Sequence, residues 1–304
     1  MQSGGAIIDD GGYAITIAAP LIHDPALGST ADGGLTKLGA GALTLTTDEG
    51  YTGPTMILAG RLAATGDTKI LSNTSSIYLA ASAQLDVTGS PDFTLINKQT
   101  LFGSGAVNGD FRITSGAILS PGSNSISTLT FSNSLTLASG STNILEISHA
   151  PLTNDSAVIF GALTNGGTLI VTNVGGAQLA AGDSFKLFNA ASYSGAFSSV
   201  KLPALPFGLA WNTNSLNTAG TISVVLTTTP VIGNISISGN GLGLSGTGGV
   251  GNASFYLLGT TNLTAPLNNW TRLLTNQFDS GGNFNFTNAT GTNDQNYYRL
   301  QLLP

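Results

Sequence analysis

The chain has 304 residues, of which 41 are glycine and only 8% are charged, and its formal net charge is −6. An apolar share of 41% is too high for a disordered chain, and the apolar stretches are too short for a membrane-spanning helix. No two of the nine lysines and arginines are closer than eight positions, which excludes the cation cluster that nucleic acid requires. No cysteine is present, so no disulfide framework is available. The composition predicts a folded chain whose polar surface is made of threonine, serine and asparagine.

Strand patterns follow one another from the N-terminus. Apolar residues alternate with threonine, serine or asparagine in "YAITIAA", "ALTLTT", "SIYLAA", "QLDVTG", "DFTLIN", "DFRITSGAILS", "TLTFSNSLTLA", "NILEIS" and "TLIVTNV". Turn dipeptides such as Asn108-Gly109 and Asn165-Gly166 separate them. Residues that favour helices are scarce. The pattern predicts an all-β protein.

The strand patterns recur in groups of roughly 20 residues, which is typical of a solenoid whose coils stack and bury a continuous apolar column. Threonine and serine would then lie outside, where a pleated sheet accommodates them well. We expect eight alternating residues to point inward: Leu43, Leu45, Ile57, Leu62, Ile77, Leu79, Leu85 and Val87.

The segment "GGLTKLGAGALTLTTDEGYTGPTMILAGRLAAT", residues 33–65, has the most specific motif in the chain. Its part from Gly34 to Leu62 closely resembles the autotransporter-associated β-strand repeat. That resemblance implies a right-handed parallel β-helix in a secreted or surface-displayed bacterial protein. Residues 116–148 and 179–225 resemble the last coils of the same passenger proteins. We therefore assign residues 1–227 to the β-solenoid.

The C-terminal part, residues 228–304, differs in having longer strands and most of the late aromatic residues. It follows the linker "TTTP" and resembles small Ig-like or fibronectin-III-like sandwiches at the ends of large exported bacterial proteins. We expect an antiparallel β-sandwich that serves capping, sorting or attachment, with its aromatic residues mainly in the core.

The acidic residues are scattered, and most are next to glycine, serine or asparagine, where a carboxylate bonds backbone amides in turns. His23 and His149 each lie near a proline with no cluster of acids beside them, which argues against zinc. Calcium at "DDGG" (residues 9–12) or "TDEGYTG" (residues 47–53) is the best metal alternative, and solvated loops are the simpler interpretation. We assign no catalytic, cofactor-binding or metal-binding residue.

These features predict a non-enzymatic structural protein, extracellular or on a bacterial cell surface. An open first coil would expose unpaired strand edges, which either further coils of a longer parent chain or another copy of the protein would cover. For a natural mature chain, we expect self-association into a homo-oligomer or filament through Ile7, Ile8, Ile15 and Ile17. An adhesin that binds a cell-surface glycan or receptor is the alternative hypothesis. A polysaccharide-active β-helix enzyme is the weaker one.

Overall fold

A computed structural model describes residues 1–66, 70–122, 125–238, 241–289 and 296–303. Within these ranges the fold is almost entirely β. Helical structure there is limited to one short helix, α1 (Leu216–Ala219), and two 3₁₀ turns, Pro25–Leu27 and Leu267–Asn269. The all-β prediction is confirmed.

The first of two long sheets is parallel along its whole main path. With strands numbered in chain order, its spatial order is β1 (Ala6–Asp9), β3 (Leu35–Leu38), β5 (Thr55–Ile57), β7 (Ser76–Leu79), β10 (Thr100–Gly103), β13 (Ile118–Pro121), β16 (Thr142–Ser148), β19 (Thr168–Asn173) and β22 (Ser199–Lys201). A short strand, β17 (Thr153–Asn154), pairs antiparallel with β16.

The second long sheet is also parallel and has eleven strands. Its order is β2 (Ala14–Ile17), β4 (Ala42–Leu45), β6 (Gly60–Ala64), β8 (Ala83–Asp86), β11 (Ala106–Asn108), β14 (Thr128–Phe131), β18 (Ser156–Asn165), β15 (Leu135–Leu137), β12 (Phe111–Ile113) and β9 (Thr94–Leu95), with β21 (Phe188–Gly195) beside β18. The long strand β18 pairs with β14 at its start and with β15 at its end. It therefore joins two faces of the coil into one sheet.

Strand register shows that successive strands of each sheet belong to successive coils. Leu35 pairs with Thr55, twenty residues later along the chain. The shortest such step is 18 residues, from Thr100 to Ile118, and the longest is 31, from Thr168 to Ser199. The chain thus winds as a parallel β-solenoid, as predicted; the right-handed sense stays a prediction.

The interior of the solenoid contains the residues predicted to point inward from the alternation of apolar and polar positions. All eight are buried: Leu43, Leu45, Ile57, Leu62, Ile77, Leu79, Leu85 and Val87. They stack in register, as in the run Leu43, Leu62 and Leu85 on β4, β6 and β8. Because each side chain is covered from both sides by its neighbours in the stack, the predicted apolar ladders are confirmed.

Glycines of the repeat lie where neighbouring coils approach each other. Gly34 has a φ of +70°, and a Cβ there would overlap the carbonyl oxygen of Pro54 on the next coil. Gly60 has a φ of +63° and contacts the backbone of Gly41 in the same way. Only glycine combines positive φ with so close a backbone approach, which explains the spacing of glycines in the motif.

The described chain divides into two compact units. The first contains residues 1–176, 184–203 and 213–222, and the second contains residues 177–183, 204–212 and 223–304. The second unit therefore includes three segments from within the range assigned to the solenoid, residues 177–183, 204–212 and 223–227. The domain boundary at residues 227 and 228 stays a prediction.

The second unit contains two three-stranded antiparallel sheets. The strand order of one sheet is β25 (Val231–Ser238), β26 (Gly241–Thr247) and β29 (Phe284–Ala289). The order of the other sheet is β28 (Thr271–Gln277), β27 (Ser254–Thr260) and β30 (Tyr297–Leu302). They share one core of Leu242, Leu244, Phe255, Leu257, Phe278, Phe284 and Phe286. The strand β20 (Ser184–Lys186) belongs to the first unit. In the second unit, β23 (Leu209–Asn212) pairs antiparallel with residues 223–226 of β24 (Thr221–Leu226).

The antiparallel C-terminal sheets were predicted, but an Ig-like or fibronectin-III-like identity is not confirmed. Trp270 is only half-buried and lies outside the shared core. Its indole N–H donates to the carbonyl of Ala265, five residues earlier, because it follows directly on the 3₁₀ turn Leu267–Asn269. Four phenylalanines fill the core instead, in agreement with the expectation that the tail aromatics are mainly core residues.

Candidate functional site

The first coil presents the edge of both long sheets. β1 pairs with β3 and β2 pairs with β4, and each stands at the end of its sheet. Around them, Ile7 is 69% exposed, Tyr13 is 77% exposed and Ile22 is 60% exposed. Unpaired strand edges with apolar side chains are a template for pairing with another strand.

The four isoleucines predicted to mediate self-association occupy two environments. Ile15 and Ile17 are in register with buried Leu43 and Leu45, and Ile8 is in register with buried Lys37. These three continue the interior ladders but are only half-buried. Ile7 lies on the outer face. The first coil thus exposes the end of the apolar interior, and not only a strand edge.

A buried ion pair connects the first coil to the second. The Nζ of Lys37 lies 2.5 Å from Asp10 Oδ2, and neither side chain is exposed. Lys37 also donates to the carbonyls of Leu38, Gly39 and Ala59. The hydrogen bond from Lys37 holds the pKa of Asp10 below its usual value. Sequence reasoning missed this pair, although Lys37 occupies an inward position of the alternation that begins at Leu35.

His23 and Asp32 form a second polar cluster at the corner after β2. The Nδ1 of His23 lies 2.9 Å from Asp32 Oδ2, and its Nε2 lies 3.2 Å from the carbonyl oxygen of Gly28. The sequence does not predict Asp32 as a partner of His23, because the loop folds back and brings together residues nine positions apart.

Burial would raise the pKa of Asp32, but the amides of Thr52, Gly53 and Gly34 and the ring of His23 outweigh it and hold that pKa well below its usual range. The carboxylate therefore stabilises the fold above the unfolded-state pKa of about 3.9, and this contribution is lost as the pH falls towards the folded-state value.

We expect the melting temperature to fall more steeply below pH 4 in the wild type than in an Asp32→Asn variant, whose amide does not titrate. Thermal unfolding of both proteins between pH 6 and pH 2 measures the difference. Parallel curves would contradict the proposed contribution of Asp32, since other acids titrate identically in both proteins.

Several other acids cap turns, as predicted. Asp9 and Asp10 accept from the amides of Gly11 and Gly12, and Asp279 accepts from those of Gly281 and Asn283. In the second calcium candidate, Glu49 accepts from the amide of Leu21. Within the described ranges, no group of three or more potential metal ligands comes together.

Asp155 is the acid with a strongly raised pKa. Burial raises the pKa of its carboxyl to about 6, and the nearby Glu146 acts in the same direction, although the amides of Ser127 and Glu146 donate to it. The protonated carboxyl of Asp155 therefore stabilises the fold at low pH, and this contribution to the free energy of unfolding is lost as the pH rises through about 6.

A surface groove of about 310 Å³ crosses β9, β12 and β15. Its lining combines two carboxylates, one guanidinium, three hydroxyls and two phenyl rings: Asp92, Asp110, Arg112, Thr94, Ser134, Thr136, Phe93 and Phe111. Strand register aligns Arg112 with Thr94 on one side and Thr136 on the other. The sequence predicts that these acids are scattered turn residues, whereas the winding of the chain brings both to one face of the solenoid.

No helix in the part of the chain that the structure describes is long and apolar enough to cross a membrane. Comparison with curated proteins finds no match. Comparison with protein families matches residues 35–64 to the passenger-associated-transport-repeat. These residues form β3 to β6, together with the buried Lys37 and the glycines that let two coils stack. This match confirms the resemblance of Gly34 to Leu62 to an autotransporter passenger repeat.

Proposed function

We propose that the chain is an extracellular or surface-displayed structural protein that associates head to tail through its first coil. The open interior at β1 and β2 carries the proposal. Half-buried Ile8, Ile15 and Ile17 would become fully buried if another strand layer covered them. Burial of apolar side chains contributes about 25 cal/mol per Å², and pairing of the free strand edges adds hydrogen bonds.

The other end of the first unit differs. The helix α1 covers part of the last coil: buried Leu216 packs there, and the amides of Leu187 and Phe188 donate to Gly220. On the first sheet, however, β22 is the last strand, and its residues are exposed, Val200 by 38%. We propose that β1 of one copy extends the first sheet of the next copy beside β22. Such a heterologous contact does not close and so produces a filament.

Point variants test this proposal better than removal of residues 1–22, which would expose β3 and β4 as a new edge. Light scattering and electron microscopy should show polymers of the wild type at high concentration. An Ile8→Lys/Ile15→Lys variant should be monomeric, because two buried charges would oppose docking. Thr16→Lys, on the outer face of the same strand, is the control and should assemble normally. A monomeric wild type, or polymers of the double variant, would refute the assembly proposal.

The groove across β9, β12 and β15 favours the adhesin as a second candidate, because its charged groups are exposed and form no ion pair among the described residues, where a structural surface would need only threonine and serine. We propose no catalytic role for any residue of the chain.

A further inference from the structure

We infer that the groove over β9, β12 and β15 binds a neutral, hydroxyl-rich saccharide segment. This inference is independent of head-to-tail assembly and gives the adhesin candidate a defined site. It depends on the position of the polar groups, on the absence of ion-pair partners for them among the described residues and on the sign of their charges.

The groove is built from one outward column of strand residues and from the residues that lead into the strands. Thr94, Arg112 and Thr136 form the column through strand register. Asp92, Asp110 and Ser134 precede the three strands and line the same groove, Asp92 in a turn with a φ of +63°. Neighbouring strands are about 4.8 Å apart. The column therefore presents polar groups at a separation close to the width of a sugar ring.

The floor of the groove is closely packed. Phe93 and Phe111 are each 2% exposed, and their ring centroids are 5.3 Å apart. Phe131 continues the stack from Phe111 at 6.0 Å. Because the aromatic stack fixes the coils below them, the outward side chains are held on an ordered surface.

The charged groups of the groove are available to a ligand. In the described part of the chain the ion pairs are His23–Asp32, Lys37–Asp10 and Arg61–Asp86, so Arg112 belongs to none of them. The Oδ1 of Asp110 accepts a hydrogen bond from the amide of Ser134, and its Oδ2 takes no part in that bond. Asp92 and Arg112 are exposed. Carboxylates accept hydrogen bonds from sugar hydroxyls, and a guanidinium donates to ring or glycosidic oxygens.

The charge balance selects the kind of ligand. Two carboxylates disfavour a polyanion, and the guanidinium between the threonines disfavours a cationic peptide. A neutral polyol can use both signs at once, since each hydroxyl both donates and accepts. We therefore expect a neutral oligosaccharide to bind in preference to a sulfated or basic polymer.

Saturation-transfer NMR and calorimetric titration with cellohexaose, chitohexaose and mannohexaose test the site, with heparin as the polyanion. We expect the wild type to bind at least one of the neutral oligosaccharides. Asp92→Asn and Arg112→Gln should each weaken that binding about tenfold, since each removes a charge-assisted hydrogen bond. Arg61→Gln makes the same charge change outside the groove and should bind like the wild type.

All variants should keep the circular dichroism spectrum and the assembly behaviour of the wild type, because Asp92 and Arg112 are exposed. Failure of all three oligosaccharides to bind would overturn the inference. So would equal binding by the groove variants and the wild type, or binding of heparin alone. Assembly is measured separately, so a result that overturns saccharide binding leaves the head-to-tail assembly proposal testable.

Discussion

A Leu45→Asp substitution should unfold the coils around β4. Leu45 is fully buried and stacks between Ile17 of the first coil and Ala64 of the third. An unpaired carboxylate there has no partner for its charge, and the cavity left by leucine adds to the cost, so we expect a loss of at least about 4 kcal/mol. Because a solenoid coil contacts only its neighbours, the effect should be local.

Hydrogen exchange measures this locality. Protection should disappear in β2, β4 and β6 and persist in β14 and β19. The matched control is Thr44→Asp, one position earlier, where the side chain faces outward and is half-exposed. It should change stability by less than about 1 kcal/mol. Equal effects of the two substitutions would contradict the inward assignment of Leu45.

Alternation made the interior predictable because one physical rule acts at every coil. A strand places successive side chains on opposite faces, so the apolar positions of "ALTLTT" and "QLDVTG" could be assigned to the interior without knowledge of the contacts between coils. The glycines of residues 33–65 were equally informative, since only a close backbone approach needs so many of them.

Contacts between coils were not predictable, because the coil length varies from 18 to 31 residues. Asp92 and Asp110 are 18 positions apart and share no motif in the sequence, yet both line one groove. His23 and Asp32 meet through an irregular corner that alternation does not describe. Such sites depend on the path of each loop, and short strand patterns carry no information about that path.

The ion pair of Lys37 and Asp10 is the clearest exception to the low charge of the interior. Replacing Lys37 with methionine keeps the volume of the side chain but leaves Asp10 buried beside the amides of Gly12 and Gly41 alone. It also removes the donor from three carbonyls, those of Leu38, Gly39 and Ala59. Buried acceptors without partners and an unpaired buried charge are both strongly unfavourable. We expect the melting temperature to fall by about 10 °C.

The matched control is Arg61→Met, which breaks the ion pair of Arg61 with Asp86 at 2.8 Å. The Arg61 side chain is 47% exposed, and Asp86 keeps its bonds from Thr88, so this change should lower the melting temperature by only about 1 to 2 °C. Adding Asp10→Asn to Lys37→Met should restore part of the loss, because a neutral amide is less costly to bury than a lone carboxylate. Equal effects of Lys37→Met and Arg61→Met in calorimetry would show that Lys37 does not hold the first two coils together. A large difference would identify this lysine of the repeat as a structural link between coils.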